Sequence, residues 1–175
     1  MSLTMTAPTP PARNALFWLW GSALLIALDQ WTKHLAVSHL TFRERVTVVP
    51  GFWDWNLTHN TGAAFSFLAD AGGWQHWFFI TLAIAISGTL AYWLYRTPRD
   101  DWRTAAPFAL IVAGALGNVI DRARFGYVVD FIHWYWRDFD WPVFNVADSA
   151  IVVGAVLMVL FSLRKRPAAG ADAKD

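Results

Sequence analysis

Three observations predict an all-α integral membrane protein with four transmembrane helices, a small extracytoplasmic β-element and a short interfacial helix. Hydrophobic residues make up 56% of the 175-residue chain and charged residues only 15%, the balance of a short, apolar, single-domain protein over 1–175. The apolar residues gather into four segments of helical length. Twelve Trp is high for this length, and Trp collects at membrane–water interfaces, where its ring stays apolar and its N–H finds water. A net charge of +1 gives no reason to expect nucleic acid or an acidic partner. The absence of cysteine removes thiol nucleophiles, Cys-ligated metals and disulfides together, so the bilayer and helix packing must supply stability.

Residues 1–13 are rich in Pro and Thr without a hydrophobic face and are expected to be disordered, as are 165–175. The first span is expected at about 14–37. Its purely apolar run, ALFWLWGSALLIAL, holds about fourteen residues against the roughly twenty a crossing needs, so a signal-peptide core is the alternative. A retained helix is preferred. Asp29 and Lys33 stand at i and i+4 and can pair where the helix leaves the hydrocarbon, with Lys33 snorkelling outward.

Residues 40–68 change character. RVTVVPGFWDWNLTHN is rich in β-branched and aromatic residues, alternates in part at Trp53, Trp55 and Leu57, and carries a Pro50-Gly51 turn. This is a strand-and-turn signal too polar to span. It runs into Asn60-Thr61-Gly62-Ala63-Ala64-Phe65, whose small residues permit close backbone approach.

The second span, 74–95, is apolar throughout with aromatic residues at both ends. The third, 104–121, is rich in Ala and Gly, and Gly114 and Gly117 suit close helix–helix approach. The fourth, 145–163, ends in Arg164-Lys165-Arg166. Placing both termini and the 96–103 link in the cytoplasm leaves eight Lys and Arg inside and six outside, with that basic cluster directly at a span end. Residues 38–73 and 121–144 then lie on the outer face. Asp29, Lys33, Asn60, Asp130 and Asp148 could meet there in one pocket.

Asp130 and Asp148 are the ionisable residues that stand out, because a carboxylate beside hydrocarbon is expensive and marks a functional-site hypothesis. Asp130 sits among Tyr127-Val-Val and Phe131-Ile with no basic residue within five positions, so desolvation should raise its pKa. Asp148 has a structural alternative: Asn145 is a natural N-cap, and Asp148 would complete a capping box. A carboxylate there also faces the positive end of the helix dipole, worth only about 0.3–1 kcal/mol. If the two meet, charges about 4 Å apart at an effective dielectric near 20 repel by about 4 kcal/mol, and one proton is shared. Such a pair suits aspartyl proteolysis. Gly114, Asn118 and Arg122 recur every four residues and share one helix face, with Asp121 beside them. They could wall a polar pocket, or simply pack a helix and form an Asp121–Arg122 pair at its end.

Competing chemistries find less support. The five histidines show no HExxH, and Asp130 and His133, at i and i+3, are only a possible ligand pair. No nucleophile-elbow glycines surround Ser149, which leaves a Ser149–His133–Asp130 mechanism without context. A Ser–Lys dyad through Lys33 has no local support, and 134–141 (WYWRDFDW) reads most simply as an amphipathic piece in the interface.

The chain resembles the bacterial lipoprotein signal peptidase (signal peptidase II) family over about 14–163. The resemblance rests on Asp29-Gln30 with Lys33, Asn60-Thr-Gly-Ala-Ala-Phe65, Gly114-Ala-Leu-Gly-Asn118-Val-Ile-Asp-Arg122, Val128-Val-Asp130-Phe and Phe144-Asn145-Val-Ala-Asp148-Ser. Five blocks in order at matching spacing are specific as a set. The resemblance implies an enzyme of the bacterial cytoplasmic (inner) membrane, multi-pass with both termini cytoplasmic, and a mobile outer helix near the site, expected at 134–141. It implies Asp130 and Asp148 as the catalytic pair. Asn60, Gly62, Gly114, Asn118, Arg122 and Asn145 would line the site, and Asp29 and Lys33 would support it. The implied substrate is a prolipoprotein whose cysteine carries diacylglyceryl, cut just before that cysteine. Expected partners are this substrate and membrane lipids, without nucleic acid, metal or organic cofactor, and the chain is expected to act as a monomer.

Overall fold

The computed structural model describes residues 13–62 and 72–163. Four long helices carry the chain: α1 (Leu19–His39), preceded by one 3-10 turn at Ala15–Trp18, then α2 (Trp74–Arg96), α3 (Trp102–Phe125) and α4 (Val146–Leu163). Strands β1 (Arg45–Val49), β2 (Trp53–Asn60), β3 (Val128–Trp136) and β4 (Phe139–Asp140) form one antiparallel sheet in that order. The fold is therefore mostly helical with a small sheet. By length and composition, α2, α3 and α4 are able to cross a membrane.

Helix α3 is the hub on which α1, α2 and α4 pack. It buries a run of small residues, Ala105, Ala109, Ala113, Gly114, Ala115 and Gly117, which let neighbouring backbones come close. Its ends are explicit. The Asp101 carboxylate accepts from the Thr104 N–H at 3.3 Å, and Gly126 closes the helix at φ 79°, where a side chain would be strained.

Helix α1 turns its polar residues inward. Ser22, Asp29, Lys33 and Ala36 are its buried residues, whereas Trp20, Leu24, Leu28, Trp31 and Leu35 are exposed. The outward face is a continuous apolar stripe at helical spacing, and the polar face is turned into the protein. At the opposite end from the sheet, Ala15, Leu94, Ala105 and Phe108 pack together, and the Ala15 N–H donates to the Thr97 carbonyl at 3.0 Å. At the sheet end, Ala36 packs with Leu57, Val129 and Phe131.

Two expectations are corrected here. Residues 134–141 are not a helix: β3 runs on to Trp136, turns at Arg137 (φ 54°) and returns as β4, with Tyr135 opposite Asp140 and Trp136 opposite Phe139. The Trp-Tyr-Trp run favours a pleated half-buried surface, and the tight two-residue connection makes a hairpin. The β-element is also larger than 40–68, because β3 joins β2 from the far end of the chain, pairing Thr58 with Asp130 and Asn60 with Val128. Residues 63–68 of that element, the matched Ala63-Ala64-Phe65, and the termini at 1–12 and 164–175 lie outside the described residues.

Candidate functional site

The site forms where β3 passes the first turn of α4 and the C-terminal half of α3. Asp130 reaches it from a strand rather than from a helix end, and is 2% exposed. Asp148 reaches it from α4 and is half-buried. Asn145 joins them. Its side-chain Nδ2 donates to Asp130 Oδ1 at 2.7 Å, and its backbone N–H donates to Asp148 Oδ2 at 3.2 Å. Its own Oδ1 accepts the Asp148 N–H at 2.8 Å. Asn145 and Asp148 therefore form the reciprocal capping box that the sequence allows. Capping and membership of the site are not exclusive, because the cap leaves Asp148 Oδ1 free to accept Asn118 Nδ2 at 2.8 Å.

Asn60 supplies the second donor to Asp130, Nδ2 to Oδ2 at 3.0 Å. It lies two positions along β2 from Thr58, the register partner of Asp130, and so on the same sheet face. Its Oδ1 accepts the Gly62 N–H at 3.0 Å. Arg122 closes this side: Nη2 donates to the Gly62 carbonyl at 2.8 Å, and its guanidinium carbon stands 5.0 Å from the Phe79 ring centroid. Arg122 Nε is buried without a hydrogen-bond partner among the described residues.

Burial pushes the Asp130 carboxyl up to about 8, and the nearby Asp148 charge pushes the same way. The Asn60 and Asn145 donors and the Lys33 charge oppose the rise without cancelling it. A carboxyl held protonated near neutrality beside a second carboxylate is equipped to donate a proton while its neighbour accepts one.

Beneath the pair lies a buried ionic layer. Lys33 Nζ is 2.9 Å from Asp29 Oδ2 and 2.9 Å from Asp121 Oδ2, and donates to Asn118 Oδ1 at 2.9 Å. Lys33 thus does not snorkel outward. It is 3% exposed, and the Asp29 and Asp121 carboxylates and the Asn118 amide oxygen supply its partners in the protein interior. The Asp121–Arg122 pair is also not formed, since Asp121 turns inward to Lys33 and Arg122 turns toward Gly62. Asp29 Oδ1 accepts the Ala147 N–H at 2.9 Å and so satisfies an orphan donor of α4. At Gly117 an added Cβ would lie 2.8 Å from Asp29 Oδ2, and at Gly114 only 2.2 Å from the Ala147 carbonyl oxygen. All ten sequence-derived candidates therefore gather around one region. Gln30 was not among them, yet its Nε2 donates to Asp121 Oδ1 at 2.8 Å. An amide directly beside Asp29 was the available signal.

The competing constellations do not assemble. His133 faces Asp140 and Asp54, not Asp130, its Nε2 3.3 Å from Asp140 Oδ1 and its Nδ1 3.9 Å from Asp54 Oδ2. The Ser149 hydroxyl donates to the Asn145 carbonyl at 3.0 Å. Among the described residues no group of three His, Cys, Asp or Glu is placed to hold a metal ion.

Comparison with known proteins shows the family. Residues 22–164 match the family model described as Signal peptidase (SPase) II. A lipoprotein signal peptidase of Xanthomonas campestris pv. campestris (strain 8004) is 59% identical over 153 residues, 87% of this chain and 92% of that relative. One from Xylella fastidiosa (strain M12) is 58% identical over 159 residues, 91% and 94% of the two chains. A solved structure titled "Bacterial membrane enzyme structure by the in meso method at 2.3 A resolution" superposes with a TM-score of 0.75 at 30% identity, covering 84% of this chain and 87% of its own. A second, at 1.9 Å, gives 0.71 at 29% identity, covering 86% and 94%.

Proposed function

This chain belongs to the signal peptidase II family, an aspartic peptidase of bacterial lipoprotein processing, and from that premise we propose that Asp130 and Asp148 are its catalytic pair. The observation that carries the proposal is Asn145, one residue hydrogen-bonded to both carboxylates. Asp148, half-buried and therefore reachable by water, takes a proton from the attacking water as its oxygen bonds to the scissile carbonyl carbon. Asp130, the buried and protonated partner, gives its proton to the carbonyl oxygen. The gem-diol then collapses. The C–N bond breaks, the proton held by Asp148 passes to the leaving amine, and a diol hydroxyl returns its proton to Asp130. Asn60, Gly62, Gly114, Asn118, Arg122 and Asn145 line or shape the cleft, and Asp29 and Lys33 support it from below.

The substrate in this reading is a diacylglyceryl-modified prolipoprotein cut before the lipidated cysteine, handled by a single-domain monomer. The chain crosses the cytoplasmic membrane four times with both termini inside and the site toward the outer face. The apolar outward stripe of α1 supports the fourth crossing, because its charged residues are satisfied by protein rather than by lipid. The test is cleavage of a lipidated prolipoprotein peptide, beside its unlipidated form, by purified enzyme in lipid. Asp130→Asn and Asp148→Asn should each abolish cleavage while leaving a folded protein. Full activity of either variant overturns the pair.

A further inference from the structure

We propose that Asp121 is a positioning residue for the proteolytic step, holding both members of the aspartate pair through separate intermediaries. The proposal rests on the reading of Asp130 and Asp148 given above. The first link runs to β3: Asp121 Oδ2 accepts the Val129 N–H at 3.0 Å, fixing the strand at the residue immediately before Asp130. The second link runs through α1. The same Oδ2 is 2.9 Å from Lys33 Nζ, and Lys33 donates to Asn118 Oδ1 at 2.9 Å. That donation, joined by a longer one from Asn145 Nδ2 at 3.2 Å, sets which way the Asn118 amide faces. With its oxygen turned to Lys33, its NH2 points to Asp148 Oδ1 at 2.8 Å.

The carboxylate is built for this task. Asp121 is 1% exposed, and Gln30 Nε2 anchors the other oxygen, Oδ1, at 2.8 Å. The charged groups around it are Asp29 and Lys33 from α1, Arg122 from α3, Asp130 from β3 and Asp148 from α4. Arg122, next in the chain, is directed to the Gly62 carbonyl and does not compete for Asp121. Shape alone would require only a side chain that fills the space. A charged acceptor that meets a strand N–H and an ammonium with one oxygen sets the position of two other side chains.

The test uses the full chain in lipid and the lipidated peptide substrate. Asp121→Asn keeps the volume and removes the charge, so Lys33 retains only Asp29 and the Val129 N–H faces an amide. A displacement of about 1 Å at the pair costs about 100-fold in kcat, with KM held within about threefold because no substrate contact is lost. The upper pH limit of kcat also moves to lower pH, since Lys33, whose charge already draws the Asp130 carboxyl down, is left with one carboxylate to balance it instead of two. Asp121→Glu, which restores the charge, returns that limit toward the wild-type value. A merely structural role would lower the amount of folded enzyme and leave kcat per folded molecule and its pH profile unchanged. That result overturns the proposal. If Asp121→Asn does not fold, Gln30→Ala decides: a loss of several-fold in kcat at constant KM supports the role, and wild-type kinetics overturn it. Asp130→Asn measured alongside separates the two ideas. An active Asp130→Asn removes the pair itself, whereas an inactive one beside a normal Asp121→Asn removes only the role of Asp121.

Discussion

Gly114→Ala is a small change whose consequence can be worked from distances. A Cβ at position 114 would lie 2.2 Å from the Ala147 carbonyl oxygen and 2.6 Å from Ile151 Cγ1. Ordinary contact begins near 3.4 Å, so α3 and α4 must separate by about 1.2 Å at this point. Ala147 is backbone and cannot rotate away. It immediately precedes Asp148 in the first turn of α4, so the separation moves that carboxylate away from Asn118 and the β3 strand. Overpacking costs about 1–3 kcal/mol, partly offset by the roughly 1 kcal/mol that Ala gains over Gly in a helix. The loss in stability is therefore modest, about 0–2 kcal/mol, while a shift of about 1 Å in a reacting group costs about 100-fold in kcat. Gly154→Ala is the control. Its Cβ would meet Ile111 Cγ1 at 2.8 Å and the Pro107 carbonyl at 2.9 Å in the same α3–α4 interface. It lies six residues, about 9 Å along α4, from Asp148. It should lower the melting temperature by a similar amount and leave kcat near wild type. Equal kcat in both variants, measured on the lipidated peptide with melting followed in parallel, would refute the argument that the Gly114 contact sets the site.

Activity should fall as pH rises through about 8, where Asp130 gives up its proton. Because its folded value lies above the ordinary aspartate value of 3.8, the folded state holds the extra proton between the two, so this group's contribution to stability declines from about pH 4 to pH 8 and is constant above. A kcat profile and melting curves across that range check both signs. Asn145→Ala removes a cap worth about 0.5–2 kcal/mol and the side-chain donor to Asp130, while the backbone donor to Asp148 stays, so activity should fall by more than the melting temperature alone accounts for. Arg122→Lys keeps the charge but loses the Nη2 bond to the Gly62 carbonyl and the stacking on Phe79. KM should rise several-fold with kcat less affected; an unchanged KM would remove Arg122 from the cleft wall.

Helices α2 and α4 were legible because a run of about twenty apolar residues has few other destinations, and their bounds fall within a residue or so of the expected ones. The candidate site was legible for the same reason: Asp29, Asn118, Asp130 and Asp148 are conspicuous where polar groups are costly. The hairpin at 134–141 was misread because a Trp-rich stretch suits an interfacial helix and a strand alike, and only pairing with β2 and β4 distinguishes them. Lys33 was sent outward because i,i+4 spacing shows its partner on α1 and not Asp121 on α3.

What the sequence determined by itself was the kind of molecule and the cast of polar residues, since composition and hydrophobic spacing are local properties that the bilayer reads directly. What only the tertiary structure decided was who faces whom. Asp130 meets Asn60 through strand register, Asp148 is oriented by Asn118, and Asp121 joins Lys33 and Val129 across three elements. Those contacts connect residues separated by 8 to 88 positions, and their geometry depends on how closely glycines let α3 and α4 approach, which no local pattern encodes.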